Sequence, residues 1–196
     1  HTRYQADIDP DDLQRLANDL GLSVDNLGRL GIGWCGWGWS FPMKDAKGQI
    51  IGIRVRKRNG EKLCVSGSRQ ALFLPDDLNF TDFLLVAEGP TDCAALLDLG
   101  FNSIGRPSCS GGTDLIASLC KTHWPRSIVI AADTDEPGHK GARHLASRLR
   151  GYCTSITIVF PPLGFKDIRA WKKSGASRED VVQGIRQASL IKWNRS

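Results

Sequence analysis

The stretch IVIAADTDEPG, residues 128–138, decides the fold. Its first half is a strand-sized run of apolar and small residues without polar alternation, the pattern of a strand buried on both faces. The run ends abruptly in two aspartates, Asp133 and Asp135, with a single threonine between them. In locally extended backbone, residues two apart point the same way, so both carboxylates can face one point. A helical pattern, PGHKGARHLASRLR, follows at once. A strand that stops at paired acids and passes into a helix is one unit of an α/β fold, in which ligands bind beyond the carboxyl ends of the strands.

The same rhythm extends in both directions from residue 83 onward. FLLVAEG precedes the helical PTDCAALLDLG, SIGRP precedes GGTDLIASLCK, and SITIVF precedes KDIRAWKKSG. Apolar strands alternating with amphipathic helices imply a parallel sheet covered on both faces. A closing helix, REDVVQGIRQAS, is N-capped by Ser177. Upstream the pattern differs. DPDDLQRLANDLG, capped by Asp9 or Asp11 and stopped by Gly21, and SVDNLGRLG, opened by Ser23 and closed by Gly31, read as a helical hairpin. GWSFPM, QIIGIRVRKR and KLCVSG, with turns at KDAKG and RNG, read as a small antiparallel meander. The expected architecture is α/β: a parallel sheet flanked by helices over residues 83–175, preceded by a small, basic α+β subdomain over 1–76, joined through PDDLNFTD (75–82), and followed by a helix and tail over 176–196.

Acids recur at the strand ends. Glu88 ends FLLVAEG, Asp133 and Asp135 end SIVIAADTD, and Asp167 follows SITIVFPPLGFK. Clustered carboxylates raise one another's pKa unless a cation neutralises them. Magnesium, which sits on a few carboxylates together with substrate phosphates and keeps several waters, resolves that conflict and points to phosphoryl-transfer chemistry. The competing reading is that each acid caps the helix after it. Capping alone accounts for Asp92, in the first turn of its helix, and for Asp114, which has no strand-end partner.

These residues carry a resemblance. VAEGPTD followed later by AADTDEPG resembles the TOPRIM signature shared by bacterial primases, topoisomerases, nucleases and recombination mediators. The resemblance implies a TOPRIM-type sheet over about residues 83–168 in which Glu88, Asp133 and Asp135 hold Mg2+, or Mn2+ in its place, with Asp92 and Asp167 supporting. LGFKDIRAW resembles the primase Lys-Asp motif, and so assigns a phosphate-facing role to Lys166; where primases often carry a further acid, Arg169 stands here. Upstream, FPMKDAKGQIIGIRVR and EKLCVSGSRQALFLP are similar to the N-terminal half of a bacterial or phage-type primase core, which puts Arg56 and Lys62 at template or nucleotide.

The basic segment supports that reading independently. Alternation puts Ile51, Ile53 and Val55 on one face of the strand and Arg54, Arg56 and Arg58 on the other, a row able to track a single-stranded phosphate backbone. The alternative is a strand kept soluble by charge. Residues 43–62 as a whole, with Lys44, Lys47 and Lys57 added, form an anionic-polymer footprint or a solvated hairpin. Trp37, Trp39 and Phe41 share a strand face and offer either a base-stacking platform or, as expected here, packing against the helical hairpin.

At 196 residues, 41% of them hydrophobic, the chain can bury a proper core. Its apolar runs are strand-sized and no leader opens it, so the reading is a cytoplasmic protein away from membranes. It begins without methionine, which reads as a piece of a longer protein or a processed chain. Six cysteines lack metal-ligand spacing and are expected mostly in the core. No P-loop is present, so the sequence carries no helicase motor of its own. No zinc ribbon precedes the core, RPSCSGG lacks a nucleophile elbow and reads as a flexible turn near the site, and Tyr4 and Tyr152 have no topoisomerase setting. The expectation is the core of a DNA primase from a phage, plasmid or other mobile element. Its partners would be single-stranded DNA template, nucleoside triphosphates and a helicase supplied by the parent chain or in trans. A metal-dependent TOPRIM nuclease and a non-catalytic nucleic-acid-binding module are the alternatives.

Overall fold

The computed structural model describes residues 2–80, 83–188 and 190–192, the last three as backbone. Residues 81–82 of the expected connection and 193–196 of the expected tail lie outside them. The N-terminal part begins with α1 (Thr2–Ala6), α2 (Pro10–Leu20) and α3 (Val24–Arg29). Asp9 caps α2 by accepting the Asp11 and Asp12 N–H groups, and Gly21 ends it in a left-handed conformation. Ser23 caps α3 by accepting from the Asn26 N–H. In α2 the buried residues Leu13, Ala17 and Leu20 fall on one helical face, which is the amphipathic stripe the spacing implied.

An antiparallel sheet follows, with β1 (Gly33–Trp34), β2 (Trp39–Lys44), β3 (Ile50–Arg56) and β4 (Lys62–Cys64) paired in chain order. The three expected strands are there; α1 and β1 were not expected, being too short to show a period. Tyr4 of α1 lies close over Gly33, where a Cβ would meet its backbone carbon at 2.8 Å.

The second sheet contains β5 (Phe83–Glu88), β6 (Ser103–Arg106), β7 (Ser127–Ala131), β8 (Ser155–Val159) and β9 (Leu190–Lys192) in the order β6-β5-β7-β8-β9. The first four strands in that order are parallel, and β9 is antiparallel to β8. The helices α4 (Gly89–Asp98), α5 (Thr113–His123), α6 (Glu136–Arg148), α7 (Ile168–Lys173) and α8 (Arg178–Gln187) fall where the sequence placed them, and Ser177 with Asp180 forms a capping box on α8. The edge strand β9 was missed because it lies beyond the closing helix with no pattern long enough to read.

Strand pleat divides the core in two. Leu85, Ala87, Val129, Ala131 and Val159 face one side, with α4, Ile168 of α7 and Val181 of α8. Leu84, Val86, Ile104, Ile128, Ile130 and Ile156 face the other, with α5 and α6. The first cluster also takes in Leu13, Leu20, Leu27, Phe41 and Met43, so the N-terminal part shares a core with one face of the parallel sheet. Backbone hydrogen bonds fix the placement. Leu72 exchanges both N–H···O bonds with Lys44 of β2, at 2.7 and 3.0 Å, and the adjacent Phe73 does the same with Gly105 of β6, at 2.8 and 2.9 Å. Two consecutive residues therefore stitch the end of β2 that extends past the short β1 to the edge strand β6 of the other sheet.

Candidate active site

Glu88 is the last residue of β5 and the N-cap position of α4, yet its side chain makes no capping bond. Its carboxylate instead points beyond the sheet, where the Asp133 backbone N–H favours its charged form. Gly89 follows at φ 82 with open space where a Cβ would stand, so glycine is required by the backbone and not by crowding. Asp133 lies just past β7. Asp135 caps α6 by accepting the Gly138 N–H at 2.9 Å, and a Cβ on Gly138 would meet the Asp133 carbonyl oxygen at 2.4 Å. The turn carrying both acids therefore depends on a glycine for close approach.

Capping also holds Asp167, whose Oδ1 accepts the Ala170 N–H at 2.7 Å. Asp92 does more than sit in the first turn of its helix: its Oδ1 accepts the Arg169 N–H of α7 at 3.1 Å. The capping reading is thus correct for one oxygen each of Asp135 and Asp167, and fails for Glu88.

One cavity of about 310 Å³ gathers nearly all of the expected site. Glu88, Asp92, Asp133 and Asp167 line it from the parallel sheet, and Arg54, Arg56 and Lys62 line it from β3 and β4. Lys166 completes the lining. Asp135 is not part of the lining, but its Oδ2 lies 3.7 Å from Lys166 Nζ, which is also 3.9 Å from Asp133 Oδ2. Asp133 and Asp135 therefore do face one cation, as residues two apart in extended backbone should.

The electrostatics are those of crowded acids. Burial and the charge of Asp133 push Glu88 up to about 7, against the pull of Arg106. Burial and Asp167 raise Asp133 to about 6, with Lys166 and Lys62 opposing. Asp92, almost wholly buried, is raised by burial and then by the charge of Asp167. Opposite them, Arg56 makes no ion pair among the described residues, and burial, then the charge of Arg169, pull its pKa down. Arg54 donates to the Pro107 carbonyl at 3.3 Å while its Nε is buried with no partner.

Whether a divalent ion fits can be judged from the donors. They are hard carboxylate oxygens, and the burial and then the mutual repulsion that raise their pKa values both disfavour negative charge that a dication would neutralise. Among the described residues, however, no group of three His, Cys, Asp or Glu side chains is already assembled to hold a metal ion. Lys166 supplies the counter-charge at Asp133 and Asp135, and at 66% exposure its side chain is free to swing away. The donor chemistry suits such an ion, and Lys166 is the charge that the ion would displace.

Arg106 escaped the sequence reading. Arg106, 1% exposed, donates to the carbonyls of Gly111 (3.2 Å), Gly141 (3.4 Å) and Cys109, and so pins the RPSCSGG loop against α6. That loop supplies Pro107, Ser108 and Cys109 to the cavity wall, and in the sheet Arg106 is the register partner of Glu88. The strand-end rule that selected the acids applies equally to Arg106, and only its charge sign hid it. Arg169 also lines the cavity.

Other expectations divide. Trp39 and Phe41 are core residues, with Trp34 edge-on to Trp39 at 5.1 Å, so packing is what they do; Trp37 alone is exposed. Lys44 is no part of a surface footprint: it is buried, with Nζ 3.0 Å from the Leu74 carbonyl and 2.5 Å from Asp76. Arg58 pairs with Asp12 and lies over the Trp34 ring. Cys93, Cys120 and Cys153 are buried, Cys35 and Cys109 half-buried and Cys64 exposed, so the core holds fewer cysteines than expected. Among the described residues no helix is long and apolar enough to cross a membrane.

The architecture is that of the DnaG-type primase catalytic core, with a TOPRIM fold in its parallel sheet. The catalytic core of the E. coli primase aligns with a TM-score of 0.73 at 19% identity, covering 96% of this chain and 78% of that one. A DnaG primase catalytic domain bound to single-stranded DNA aligns at 0.71 and 18% identity, covering 96% and 76%. For the zinc-binding and RNA polymerase domains of the Aquifex aeolicus primase the values are 0.71 and 16%, and the chain spans 91% of its own length but 56% of that structure. No sequence-family profile matches the chain, and no curated protein does.

Proposed function

We propose that the chain is the catalytic core of a DNA primase, which joins nucleotides into short RNA primers on a single-stranded DNA template. The observation that carries this is the convergence in one cavity of the basic face of β3 and β4 with the acids at the ends of the parallel strands. Neither group alone would select a polymerase. Together they match a polyanionic substrate on one wall and a phosphate-bound dication on the other.

In this reading Glu88, Asp133 and Asp135 hold Mg2+, with Mn2+ as a substitute, and the ion when bound neutralises triphosphate charge and activates the primer 3′-hydroxyl. Arg54 and Arg56 bind phosphate through guanidinium groups that lack a carboxylate partner, and Lys62 adds charge beside Asp133. Lys166, once displaced from the aspartates, turns to a phosphate in the same cavity. Arg106 holds the Pro107–Cys109 wall in place. A phage, plasmid or other mobile-element replication protein of the cytoplasm is the proposed setting, with a helicase in the parent chain or in trans.

The test is primer synthesis on mixed-sequence single-stranded DNA with Mg2+ or Mn2+ and labelled nucleotides, with Asp133→Ala beside the wild type. Short products that vanish in the variant are expected. Undiminished synthesis in the variant would remove the assignment, and Asp133-dependent degradation of the template would replace it with a nuclease.

Lys166 bridging Asp133 and Asp135 favours one second reading, a nucleic-acid-binding module without turnover. Binding that is salt-sensitive, indifferent to chelator and unaccompanied by any synthesis would select it.

A further inference from the structure

The acids of the cavity are not equivalent, because their two counter-cations differ in kind. Asp92 is 8% exposed, and its Oδ1 is taken by the Arg169 N–H. Asp167 gives Oδ1 to the Ala170 N–H, and its Oδ2 lies 3.8 Å from Arg169 Nη2, with the carboxylate 15% exposed. One arginine thus serves both acids, the first through its backbone and the second through its guanidinium. Its backbone N–H cannot leave without unwinding the start of α7.

The other acids are served loosely. Glu88 makes no capping bond, and Lys166 lies 3.7–3.9 Å from Asp135 and Asp133, much as Arg169 does from Asp167, but on a stem 66% exposed against 25% for Arg169. An exposed lysine can swing into solvent to admit a dication, whereas Arg169 is anchored through its backbone to Asp92 and its largely buried, always-charged guanidinium stays beside Asp167. Magnesium in addition keeps several waters, and Asp92, which reaches the cavity only with its edge, has one oxygen already committed to a backbone N–H.

We propose that Arg169, and not a second divalent ion, is the permanent cation on the α7 side of the cavity. The chain then binds one divalent ion, through Glu88, Asp133 and Asp135, and none at Asp92 and Asp167. This inference rests on the reading of the site given above, in that the open acids take an ion at all. Arg169 also lines the neighbouring groove with Arg56, Lys57 and Arg58, so the positive face continues from the acids to the outside of β3. Phosphate oxygens reaching the α7 side meet a guanidinium that is always charged.

The experiment is titration of the metal-free chain with Mn2+, followed by electron paramagnetic resonance of the free ion and by calorimetry, without nucleic acid or nucleotide. One site is expected in the wild type. Asp133→Asn is expected to weaken it by at least about tenfold, and Asp92→Asn to leave it within about threefold. Arg169→Asp, checked by circular dichroism for an intact fold, is expected to raise the stoichiometry to two. Should that variant not fold, the wild-type stoichiometry and Asp92→Asn still decide. No bound ion, two ions of similar affinity in the wild type, or loss of the ion in Asp92→Asn overturns the proposal. A chain that binds one ion but makes no primers leaves this inference standing and removes the primase reading. Primer synthesis with two bound ions does the reverse.

Discussion

Lys172 Nζ lies 2.6 Å from Asp98 Oδ2 and also donates to the Gly21 carbonyl at 2.6 Å. The same carboxylate accepts from the Ser23 N–H, the Ser23 hydroxyl and the Asn26 amide at 2.6 to 3.0 Å. Burial would raise the pKa of Asp98, but Lys172, Ser23 and Asn26 hold it below the ordinary carboxylate value. One side chain therefore ties the N-terminal helices to α4 and α7, behind the cavity. Replacing Asp98 with Ala strands a largely enclosed lysine and is expected to cost about 3 kcal/mol in urea unfolding. A loss below about 1 kcal/mol would show the junction is held by apolar packing alone.

Glu88 gives a pH prediction with a definite sign. Its folded pKa is raised, to about 7, so between the ordinary carboxylate value and 7 the folded chain holds a proton that the unfolded chain has lost. Stability from this group is complete at low pH and is lost as pH rises through that window. In metal-free protein Glu88→Gln is therefore expected to raise the melting temperature more at pH 8 than at pH 5. Equal shifts at both pH values would show that Glu88 is not under charge strain.

Arg106→Leu removes the donor shared by three loop and helix carbonyls, and is expected to cost about 3 kcal/mol of unfolding free energy. Arg106→Lys should recover only part of this, because an ammonium lacks the planar fork that reaches three acceptors. Full recovery would reduce the role of Arg106 to charge.

The basic strand divides by structure. Arg56 and Lys62 line the cavity, whereas Arg58 is engaged by Asp12 and Trp34. Measured as the slope of log affinity for single-stranded DNA against log salt, Arg56→Ala and Lys62→Ala should each lower the magnitude by about 0.7. Arg58→Ala should leave it near the wild-type value. A similar change in all three would mean that binding tracks net charge and not the cavity.

Much of the fold was legible because its signals are local. Strand period, helix stripe and cap residues such as Asp9, Ser23 and Ser177 act within a few residues of one another. Elements too short for a period, α1, β1 and β9, were not. The burial of Lys44 was invisible for a different reason: its partners, the Leu74 carbonyl and Asp76, come from a distant loop.

For the site, the sequence by itself determined the chemistry: acids at strand ends, arginines on one strand face, glycines where the backbone must turn or close up. These follow from alternation and strand-to-helix order, which neighbouring residues dictate. Only the tertiary structure decided that the arginines and the acids meet, because the bridges of Leu72 to β2 and Phe73 to β6 set one sheet against the other. It alone also separated the acids held by Arg169 from those left to Lys166, since hydrogen bonds between α4 and α7 join residues far apart in the chain.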